Sequence, residues 1–541
     1  MAPFLKIENI HFNGVNELLT TSLSLEKGEQ LKIVGPNLSG KTNAAYTIAG
    51  LVKGNATIFM NDQQITSQLD FSRHFGLIPS DPTHIFSRLS QTLLGEIELS
   101  FNFLGTKMQQ VQVDEIVDLL GISKLLESNP LSLSGGEKVK ASLAVVLAKN
   151  PQILIIDEVF KHLDSSSRKQ VQEAIERFRI SRNISIIEFQ SFVNIEDPKT
   201  NISNILFITK GGLIRGSLHE NWNALSSHAP ELLPNLAYLA AELTKEFKIK
   251  YTDFPTSIEM VAAPLKEKFS NINIIHKNNV HRKIAIEIED LCFSYENQNR
   301  FNLGPIHHKF YESDVVAILG KNGTGKTTFM KCLANIINNW KGSIRVNNDI
   351  LAKNTALCDW SAYVRYCFQN PDDQLYLPTT KEELLSNNYS NSNSSNLFNE
   401  IVEIFKLKKY LNQSPLDLPR SVKRLVTLAS SFITQPPVLL LDEPTALLDR
   451  NQIKTVIKAI NHYKSRNGLI IMVSHDIDFV EEVATNILIM DQGQIINSDP
   501  TTNTYILDCY NVCLVSQVAN SLGLKNGIYS RELLKSHFLN S

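Results

Sequence analysis

The chain repeats one pattern, a short apolar run that leads into a glycine-rich turn and then into a helical segment. The apolar segments Gln30–Val34 and Val315–Leu319 predict buried β-strands, because short apolar runs bounded by glycine suit such strands. Helices are predicted after the turns, over residues 42–52 and 327–337. A strand, a tight turn and a helix in this order predict an α/β fold.

A second pattern indicates that the chain is an internal duplication. Two apolar strands, at residues 153–156 and 439–441, each lead into an Asp-Glu pair. Asp442 follows Asp157 by 285 positions, and Lys326 of the second glycine-rich turn follows Lys41 of the first by the same 285. Two motifs that repeat at one offset are hard to obtain by chance, so the sequence predicts two copies of one domain.

Composition and charge exclude several classes of protein. Hydrophobic residues make up 43% of the 541 residues and charged residues 20%, which is the balance of a globular protein. The net charge of −2 provides no basic field that could bind nucleic acid by charge alone. A mean hydropathy of −0.10 and the lack of an apolar run of about 18 residues predict no membrane span. The first residues lack a signal-peptide core, which predicts an intracellular protein.

Both glycine-rich turns match the phosphate-loop pattern GxxxxGK[ST]. In this pattern backbone N–H groups and a helix N-terminus surround the phosphates, the lysine neutralises them, and the hydroxyl residue binds Mg²⁺. The sequence therefore predicts two sites for ATP and Mg²⁺. The predicted ATP-binding residues are Gly35, Asn37, Gly40, Lys41 and Thr42 in the first loop, and Gly320, Asn322, Gly323, Gly325, Lys326, Thr327 and Thr328 in the second.

A third motif connects the chain with a known family. Residues 133–137, Leu-Ser-Gly-Gly-Glu, lie shortly before the first Asp-Glu strand and are similar to the LSGGQ signature of ATP-binding-cassette (ABC) ATPases. With the two phosphate loops, this motif makes nearly the whole chain resemble two such cassettes in tandem. The resemblance implies an α/β fold of two ABC-type P-loop NTPase domains, each with a RecA-like core, a helical subdomain and a small C-terminal helical tail.

The second half resembles a narrower group. Residues 368–375, Phe-Gln-Asn-Pro-Asp-Asp-Gln-Leu, are similar to the Gln loop of ATPases from energy-coupling-factor importers, which take up vitamins and transition metals. The run Phe-Ser-Tyr at 293–295 and the two-part tails are similar to that group too. The expected domains are a nucleotide-binding domain at 1–225, its helical tail at 226–270, a linker at 271–283, a second nucleotide-binding domain at 284–502 and its tail at 503–541.

The resemblance implies a role for each motif of the second half. Tyr295 would stack on adenine, Lys326 would stabilise charge on the phosphates, and Glu443 would be the general base that activates water. Gln369 would sense the metal ion and the water, and His475 would contact the γ-phosphate. The implied Mg²⁺ ligands are Thr327, Gln369 and Asp442 in the second half, and Thr42 and Asp157 in the first.

The first half departs from the family pattern at three nucleotide-side positions. Gly14 replaces the aromatic residue, Ser80 stands where the Gln loop belongs, and the 285-residue offset puts Gln190 at the position of His475. The phosphate loop and the Asp-Glu pair remain. Glu158 is thus a base kept where the rest of the machinery is missing.

The second half has the opposite defect. Residues 418–421, Leu-Pro-Arg-Ser, replace the glycines of the signature, and the proline removes an N–H. In the family, cassettes close head-to-tail, so the resemblance implies that Ser134, Gly135 and Gly136 complete the ATP site of the second half. One consensus and one degenerate ATP site are therefore expected, and the degenerate site is still expected to bind Mg-ATP.

The implied function is ATP hydrolysis that energises uptake of a vitamin, a precursor or a transition metal. Since no membrane span is predicted, the resemblance implies two partners, an integral-membrane coupling protein and a substrate-binding membrane subunit. The chain would then lie on the cytoplasmic face of the cell membrane. The coupling protein would dock near the Gln loops, around residues 83–97 and 372–384. No nucleic-acid partner is expected.

Three alternatives stay open. The first is a soluble tandem ABC ATPase that acts on ribosomes or nucleic acid; the near-zero net charge and the unequal signatures argue against it. The second is the ATPase of a conventional ABC transporter, against which the Asn-Pro-Asp-Asp-Gln run and the tails argue. The third is a regulatory nucleotide sensor, which would require Glu443 to be silent.

Overall fold

The computed structural model describes most of the chain. The described residues are 3–14, 18–103, 110–162, 165–193, 204–251, 253–268, 283–295, 302–321, 323–347, 349–351, 354–386, 394–497 and 514–522. The chain forms two compact units, one from residues 1–242 with 252–254 and the other from residues 243–251 with 255–541. Each unit contains one copy of the duplicated domain.

The first unit contains a four-stranded and a six-stranded sheet. The strands are β1 (Leu5–Asn13), β2 (Leu18–Leu25), β3 (Gln30–Val34), β4 (Thr57–Met60), β5 (Gln63–Gln64), β6 (Phe75–Ile78), β7 (Ile153–Asp157), β8 (Ser185–Gln190), β9 (Ile205–Thr209) and β10 (Gly212–Arg215). The smaller sheet is antiparallel, with the order β2-β1-β4-β5. The larger sheet has the order β10-β9-β3-β8-β7-β6, in which β10 pairs antiparallel and the other strands pair parallel.

Nine α-helices occur among the described residues up to 268. They are α1 (Lys41–Ile48), α2 (Gln68–His74), α3 (Leu93–Phe103), α4 (Gln110–Leu120), α5 (Gly135–Leu147), α6 (Ser165–Arg182), α7 (Trp222–His228), α8 (Asn235–Phe247) and α9 (Ile258–Lys268). The division between the two units falls inside α8, and α9 belongs to the second unit.

The second unit repeats this arrangement strand for strand. Its strands are β11 (Ile284–Ser294), β12 (Asn302–Tyr311), β13 (Val315–Leu319), β14 (Lys341–Val346), β15 (Asp349–Ile350), β16 (Val364–Cys367), β17 (Val438–Asp442), β18 (Leu469–Val473), β19 (Asn486–Asp491) and β20 (Gln494–Asn497). Its further helices are α10 (Lys326–Leu333), α11 (Leu357–Trp360), α12 (Thr380–Leu385), α13 (Ser394–Ile404), α14 (Arg420–Ile433), α15 (Arg450–Lys464), α16 (Ile477–Val483) and α17 (Leu514–Ser521). The sheet orders are β12-β11-β14-β15 and β16-β17-β18-β13-β19-β20.

The strand, turn and helix predicted at each phosphate loop are present in both units. Strands β3 and β13 coincide with the predicted strands, whereas α1 and α10 end four residues before the predicted helices do. The cause is the backbone two residues after each helix, where Gly50 has φ +73° and Asn335 has φ +55°. A left-handed residue at this position ends an α-helix.

Burial explains why the central strands are apolar throughout. Every residue of β7, β13, β17 and β18 is buried. In the second unit helices pack on one face of the parallel sheet, and α10 with the antiparallel sheet packs on the other. In the helical layer of the second unit, the Phe432 ring lies 5.9 Å from the Phe405 ring and 5.7 Å from the Tyr463 ring. The buried strands β7 and β17 therefore place their Asp-Glu pairs at the edge of a well-packed core.

The two predicted tails have only partial descriptions. Helices α9 and α17 pack against each other within the second unit. The predicted linker at 271–283, apart from Lys283, lies outside the described residues, and so does the predicted second tail apart from 514–522. The predicted domain boundaries therefore stay predictions.

None of the helices in the described part of the chain combines the length and the apolar character that a membrane span requires.

We expect Phe432→Ala to lower the free energy of unfolding of the second unit by about 3–5 kcal/mol, because it leaves a cavity between two packed rings. The measurement is urea unfolding followed by tryptophan fluorescence, to which the buried Trp340 and Trp360 of the same unit contribute. The control is Ile350→Ala, since Ile350 is exposed and should change the midpoint little. An unchanged midpoint for Phe432→Ala would contradict this view of the core.

Candidate functional site

Each phosphate loop holds its lysine at the centre of the turn. In the second unit Gly325 has φ +101° and caps α10. Lys326 Nζ donates hydrogen bonds to the carbonyl oxygens of Gly320 at 2.7 Å and Lys321 at 2.9 Å. Burial lowers the pKa of Lys326, and the nearby carboxylate of Glu443 opposes this effect. The loop thus concentrates positive charge where phosphate oxygens are expected to bind.

The first loop follows the same path with a less suitable residue. Lys41 Nζ donates to the carbonyl oxygen of Gly35 at 2.7 Å, as Lys326 does in its own loop. Leu38 has φ +67°, at the position where the second loop has Gly323 with φ +81°. A left-handed conformation is disfavoured for leucine and open to glycine, so the first loop is the more strained of the two.

The residues around each loop fit a Mg-nucleotide. Helices α1 and α10 begin after a glycine with no capping side chain, which leaves N–H donors at a helix N-terminus for phosphate oxygens. The Thr42 and Thr327 side chains are exposed at these helix starts. Hydroxyl and carboxylate oxygens, such as those of Thr327 and Asp442, are the hard ligands that Mg²⁺ prefers. The predicted residue Asn322 lies outside the described residues.

Glu443 and His475 meet at the carboxyl end of the second parallel sheet. Glu443 follows β17, has φ +48°, and its N–H donates to the carbonyl oxygen of Val473 at 2.9 Å. The backbone N–H of His475 donates to Glu443 Oε2 at 3.1 Å, and His475 Nε2 lies 3.5 Å from Glu443 Oε1. Among the described residues, none donates a hydrogen bond to Glu443 Oε1.

This environment changes the acidity of Glu443. Burial raises the pKa of Glu443 to about 8; the N–H of His475 lowers it, and the neighbouring Asp442 carboxylate raises it further. A carboxylate whose pKa lies near neutrality accepts a proton more readily than an ordinary one. The geometry and the pKa direction both suit a general base.

Tyr295 and Gln369 lie at the margins of the same site. Tyr295 is 41% exposed, and its hydroxyl is 3.3 Å from Thr328 Oγ1 on α10. An exposed aromatic face beside the loop helix can stack on a base. Gln369 follows β16, which pairs in parallel with β17, and its side chain is exposed. The parallel strands and α10 thus bring these residues together with Lys326 and Glu443.

The strand registers correct one assignment made from the sequence offset. The aspartate of the Asp-Glu pair faces Phe189 in the first unit and Val473 in the second. The residue two positions later is Ser191 in the first unit and His475 in the second. The prediction that Gln190 takes the histidine position is therefore wrong. The first half has one additional residue between its Asp-Glu pair and the next strand, which shifts the offset by one.

Gln190 instead belongs to a buried polar network within the first sheet. Its side chain donates to Glu188, which also accepts from Gln30 at 3.2 Å and lies 3.5 Å from Lys32 Nζ. All these contacts join residues of the neighbouring strands β3 and β8. The side-chain network therefore joins β3 and β8 within the sheet.

The register also explains what Glu158 does in the first unit. Lys41 Nζ lies 3.2 Å from Glu158 Oε1, and the Ser191 hydroxyl donates to the same oxygen at 2.5 Å. The Ser191 hydroxyl is also 3.3 Å from Asn37 Oδ1 of the loop. The retained carboxylate thus forms an ion pair with the phosphate-loop lysine, whereas Glu443 accepts a backbone N–H.

The two signature segments differ at the start of their helices. In the first unit the N–H and hydroxyl of Ser134 donate to Glu137 Oε2 at 2.9 and 2.6 Å, which lowers the pKa of Glu137. Ser134 and Gly135 are exposed and Gly136 is partly exposed at the N-terminus of α5. In the second unit α14 begins after Pro419, which provides no capping side chain. The exposed N–H groups of α5 can approach a phosphate.

Sequence reasoning missed two buried polar residues behind Asp442. The Tyr366 hydroxyl donates to Asp442 Oδ2 at 2.5 Å, and burial raises the pKa of Tyr366, which keeps the hydroxyl protonated. Arg424 is fully buried and donates to the carbonyl oxygens of Asp442 at 2.7 Å and Glu443 at 2.9 Å. The available signals were a tyrosine inside an apolar strand and an arginine among the buried positions of α14.

Relatives with similar sequences extend over nearly the whole chain. A protein of Methanosarcina mazei, provisionally named an ABC transporter ATP-binding protein, is 27% identical over 519 residues, covering 88% of this chain and 84% of the relative. A protein of Bacillus subtilis, provisionally named the HMP/thiamine import ATP-binding protein YkoD, is 24% identical over 491 residues, covering 88% of each chain.

Solved structures show the same fold. The archaeal ribosome recycling factor aABCE1, solved in a complex with the archaeal ribosomal stalk protein aP1, aligns with a TM-score of 0.55 at 19% identity. The alignment covers 93% of this chain and 92% of that one. The family model described as ABC transporter matches residues 18–161 and 303–446, which together make up just over half of the chain. The chain therefore belongs to the ABC transporter family and is a tandem ABC ATPase.

Proposed function

We propose that the chain is the ATP-hydrolysing subunit of an uptake system for a small substrate, a vitamin, a vitamin precursor or a transition metal. Its second half provides the nucleotide motifs of the site that turns over, and its first half provides a site that binds Mg-ATP with little or no hydrolysis. An integral-membrane coupling protein and a substrate-binding membrane subunit complete the system, and the chain works at the cytoplasmic face of the membrane.

The observation that carries the proposal is the difference between the two Asp-Glu pairs. Glu443 is buried, has a raised pKa and lies beside His475. Its counterpart Glu158 is bound to Lys41 and Ser191, and the first half has no histidine at the corresponding position. The Glu158 carboxylate is thus engaged by the lysine of its own loop, whereas Glu443 lies beside His475.

Hydrolysis by an ABC ATPase uses ATP and Mg²⁺, and the ion supplies charge neutralisation at the phosphates. In the proposal Thr327, Gln369 and Asp442 hold the ion. A water molecule attacks the γ-phosphorus while the bond to the β–γ bridging oxygen breaks, which yields ADP and phosphate. Glu443 orients the water and accepts its proton, and His475 contacts the γ-phosphate.

Lys326 and the first-half signature complete this assignment. Lys326 stabilises the negative charge on the phosphates, and Tyr295 stacks on the adenine. Ser134, Gly135 and Gly136 supply N–H groups to the γ-phosphate, as the sequence resemblance implies. Head-to-tail pairing of the two cassettes requires this combination, an intact signature in the first half and intact nucleotide motifs in the second.

A docking surface in each unit supports a protein partner. Glu383 is buried on α12 and accepts the N–H groups of Tyr376 at 3.0 Å and Leu377 at 2.9 Å, while the Tyr376 side chain is 69% exposed. An exposed aromatic side chain on a loop that is hydrogen-bonded to a buried carboxylate can serve as an anchor for a partner helix. This loop falls within the segment predicted to bind the coupling protein.

The first unit has a similar loop that is bound to a buried glutamate. Glu96 is buried on α3 and accepts the N–H groups of Ser87 at 2.8 Å and Arg88 at 3.0 Å. The next residue, Leu89, is 82% exposed. The two loops therefore support one coupling helix for each unit.

Two relationships bear on the choice of cargo and on the main alternative. The Bacillus subtilis relative is named for HMP/thiamine import, and this favours uptake of a vitamin precursor within the proposed class. The fold likeness to the ribosome recycling factor concerns the fold alone, since the identity is 19%. The ribosome-directed alternative is therefore an outcome of the tests below.

Glu443→Gln should reduce ATP hydrolysis by at least about 100-fold, because it removes the proposed base, whereas Glu158→Gln should leave most of the activity. The measurement is phosphate release by the full chain at saturating Mg-ATP. Retained binding of ATP by both variants serves as the control for folding. Equal losses in the two variants would contradict the assignment of turnover to one half.

Replacing Tyr376 and Leu89 by alanine should lower recovery of membrane partners by about tenfold, the effect of losing about 1.4 kcal/mol of binding free energy. The measurement is a mild-detergent pull-down of the tagged chain from native membranes, with the proteins identified by mass spectrometry. Ile350→Ala is the matched control, because Ile350 is 65% exposed and lies on β15, outside both segments predicted to bind the coupling protein.

The same pull-down separates the proposed function from its main alternative. Recovery of small hydrophobic membrane proteins with the unmutated chain would support the uptake system. Recovery of ribosomal proteins, with nothing from the membrane, would overturn it and leave the asymmetric ATPase standing.

A further inference from the structure

Two buried polar side chains, Tyr366 and Arg424, donate hydrogen bonds to Asp442 in the second unit. Tyr366 lies on β16 and faces Leu440, two residues before Asp442 on the adjacent strand. The Tyr366 hydroxyl donates to Asp442 Oδ2 at 2.5 Å, and both side chains are buried. One oxygen of the carboxylate is thus held in a defined direction by a hydroxyl group of the neighbouring strand.

Arg424 holds the backbone of the same segment. It lies on α14 with no exposed surface, and its guanidinium donates to the carbonyl oxygens of Asp442 and Glu443. The same guanidinium donates to the carbonyl oxygen of Phe368, the residue before Gln369. A planar guanidinium with several fixed donors can join these carbonyls rigidly. One buried side chain therefore connects the Asp-Glu pair to the start of the Gln loop.

The first unit lacks both groups. Leu77 faces Ile155, two residues before Asp157, and so occupies the place of the tyrosine. Val139 is the fifth residue of α5, as Arg424 is the fifth of α14, and it is buried. Both polar supports are thus apolar in the half whose nucleotide motifs are incomplete.

We infer that Tyr366 and Arg424 are positioning residues for the Mg²⁺-binding carboxylate and the base of the second half. The inference rests on the proposed function, since it takes Asp442 as a ligand of Mg²⁺. Tyr366 sets the orientation of the carboxylate, and Arg424 sets the distance between the Asp-Glu pair and the Gln loop. The first half therefore differs from the second in two ways. It lacks these positioning residues, and it lacks several of the residues that face ATP.

The physical basis is the support of metal ligands by their hydrogen-bond partners. A carboxylate that is oriented before the ion binds loses less freedom on binding, and removal of such a partner typically lowers metal affinity by 10–100-fold. Tyr366→Phe removes one hydroxyl and keeps the ring and its packing against Phe368, whose ring is 4.9 Å away. This substitution isolates the hydrogen bond to Asp442.

The experiment measures Mg²⁺-dependent nucleotide binding in a full chain that carries Lys41→Ala, which silences the first phosphate loop. A fluorescent, non-hydrolysable ATP analogue is held at a fixed concentration while MgCl₂ is added from an EDTA-treated state. Tyr366→Phe should raise the Mg²⁺ concentration for half-maximal binding by about tenfold, with little change in the binding that persists in EDTA.

The matched control is Tyr463→Phe. The Tyr463 hydroxyl is also buried and donates to the carbonyl oxygen of Pro436, at the opposite end of β17 from Asp442. This variant also loses a buried tyrosine hydrogen bond, to a carbonyl oxygen instead of a carboxylate, and should leave the Mg²⁺ midpoint unchanged. Thermal unfolding of both variants measures the structural effect separately.

Arg424→Lys and Arg424→Met provide the second comparison, in ATP hydrolysis by the otherwise unmutated chain. A positioning role predicts that kcat falls by at least about tenfold while KM for Mg-ATP changes less, with lysine retaining more activity than methionine. If the methionine variant does not fold, the Tyr366→Phe titration still decides the inference.

The outcomes separate the inference from the function on which it rests. A parent chain that does not bind the analogue with Mg²⁺ would overturn both. Normal binding by the parent with an unmoved midpoint in Tyr366→Phe, or an equal shift in Tyr463→Phe, would overturn the inference alone.

Discussion

The parallel hydrogen-bond register of the central strands is the constraint on which both candidate sites depend. Neighbouring parallel strands end at one edge of a sheet, so Asp442 at the end of β17, His475 after β18 and the loop after β13 come together. A shift of one residue changes which side chain lies at that edge. The additional residue in the first half has this effect, because it brings Ser191 to Glu158 and turns Gln190 into the sheet.

Electrostatics then makes two different sites from one fold. In the first unit the phosphate-loop lysine and the retained carboxylate satisfy each other. Carbonyl oxygens hold the lysine in both loops, but in the second unit the carboxylate is buried beside an aspartate and a histidine. Burial raises the pKa of Glu443 although Lys326 opposes this effect, whereas Glu158 forms an ion pair with Lys41. The chemical difference between the halves therefore follows from a few side chains on a common backbone.

The sequence predicted the parts of the fold that depend on local pattern. The strands that enter the phosphate loops were predicted to the residue, because apolar runs bounded by glycine admit few other structures. The helices end earlier than the pattern predicts, because Gly50 and Asn335 adopt left-handed conformations that end an α-helix. The position of His475 was transferred to the first half by a constant offset, and a single inserted residue was enough to make that transfer wrong.

By itself, the sequence determined that the chain is a duplicated ABC ATPase with unequal motifs, because the phosphate loops, the Asp-Glu strands and the signature are contiguous runs of residues. Only the tertiary structure decided which residues support those motifs from behind. Tyr366 and Arg424 reach Asp442 across 76 and 18 positions of the chain, and Ser191 reaches Glu158 across 33. Such contacts depend on strand register and helix packing, which bring together residues that no local pattern connects.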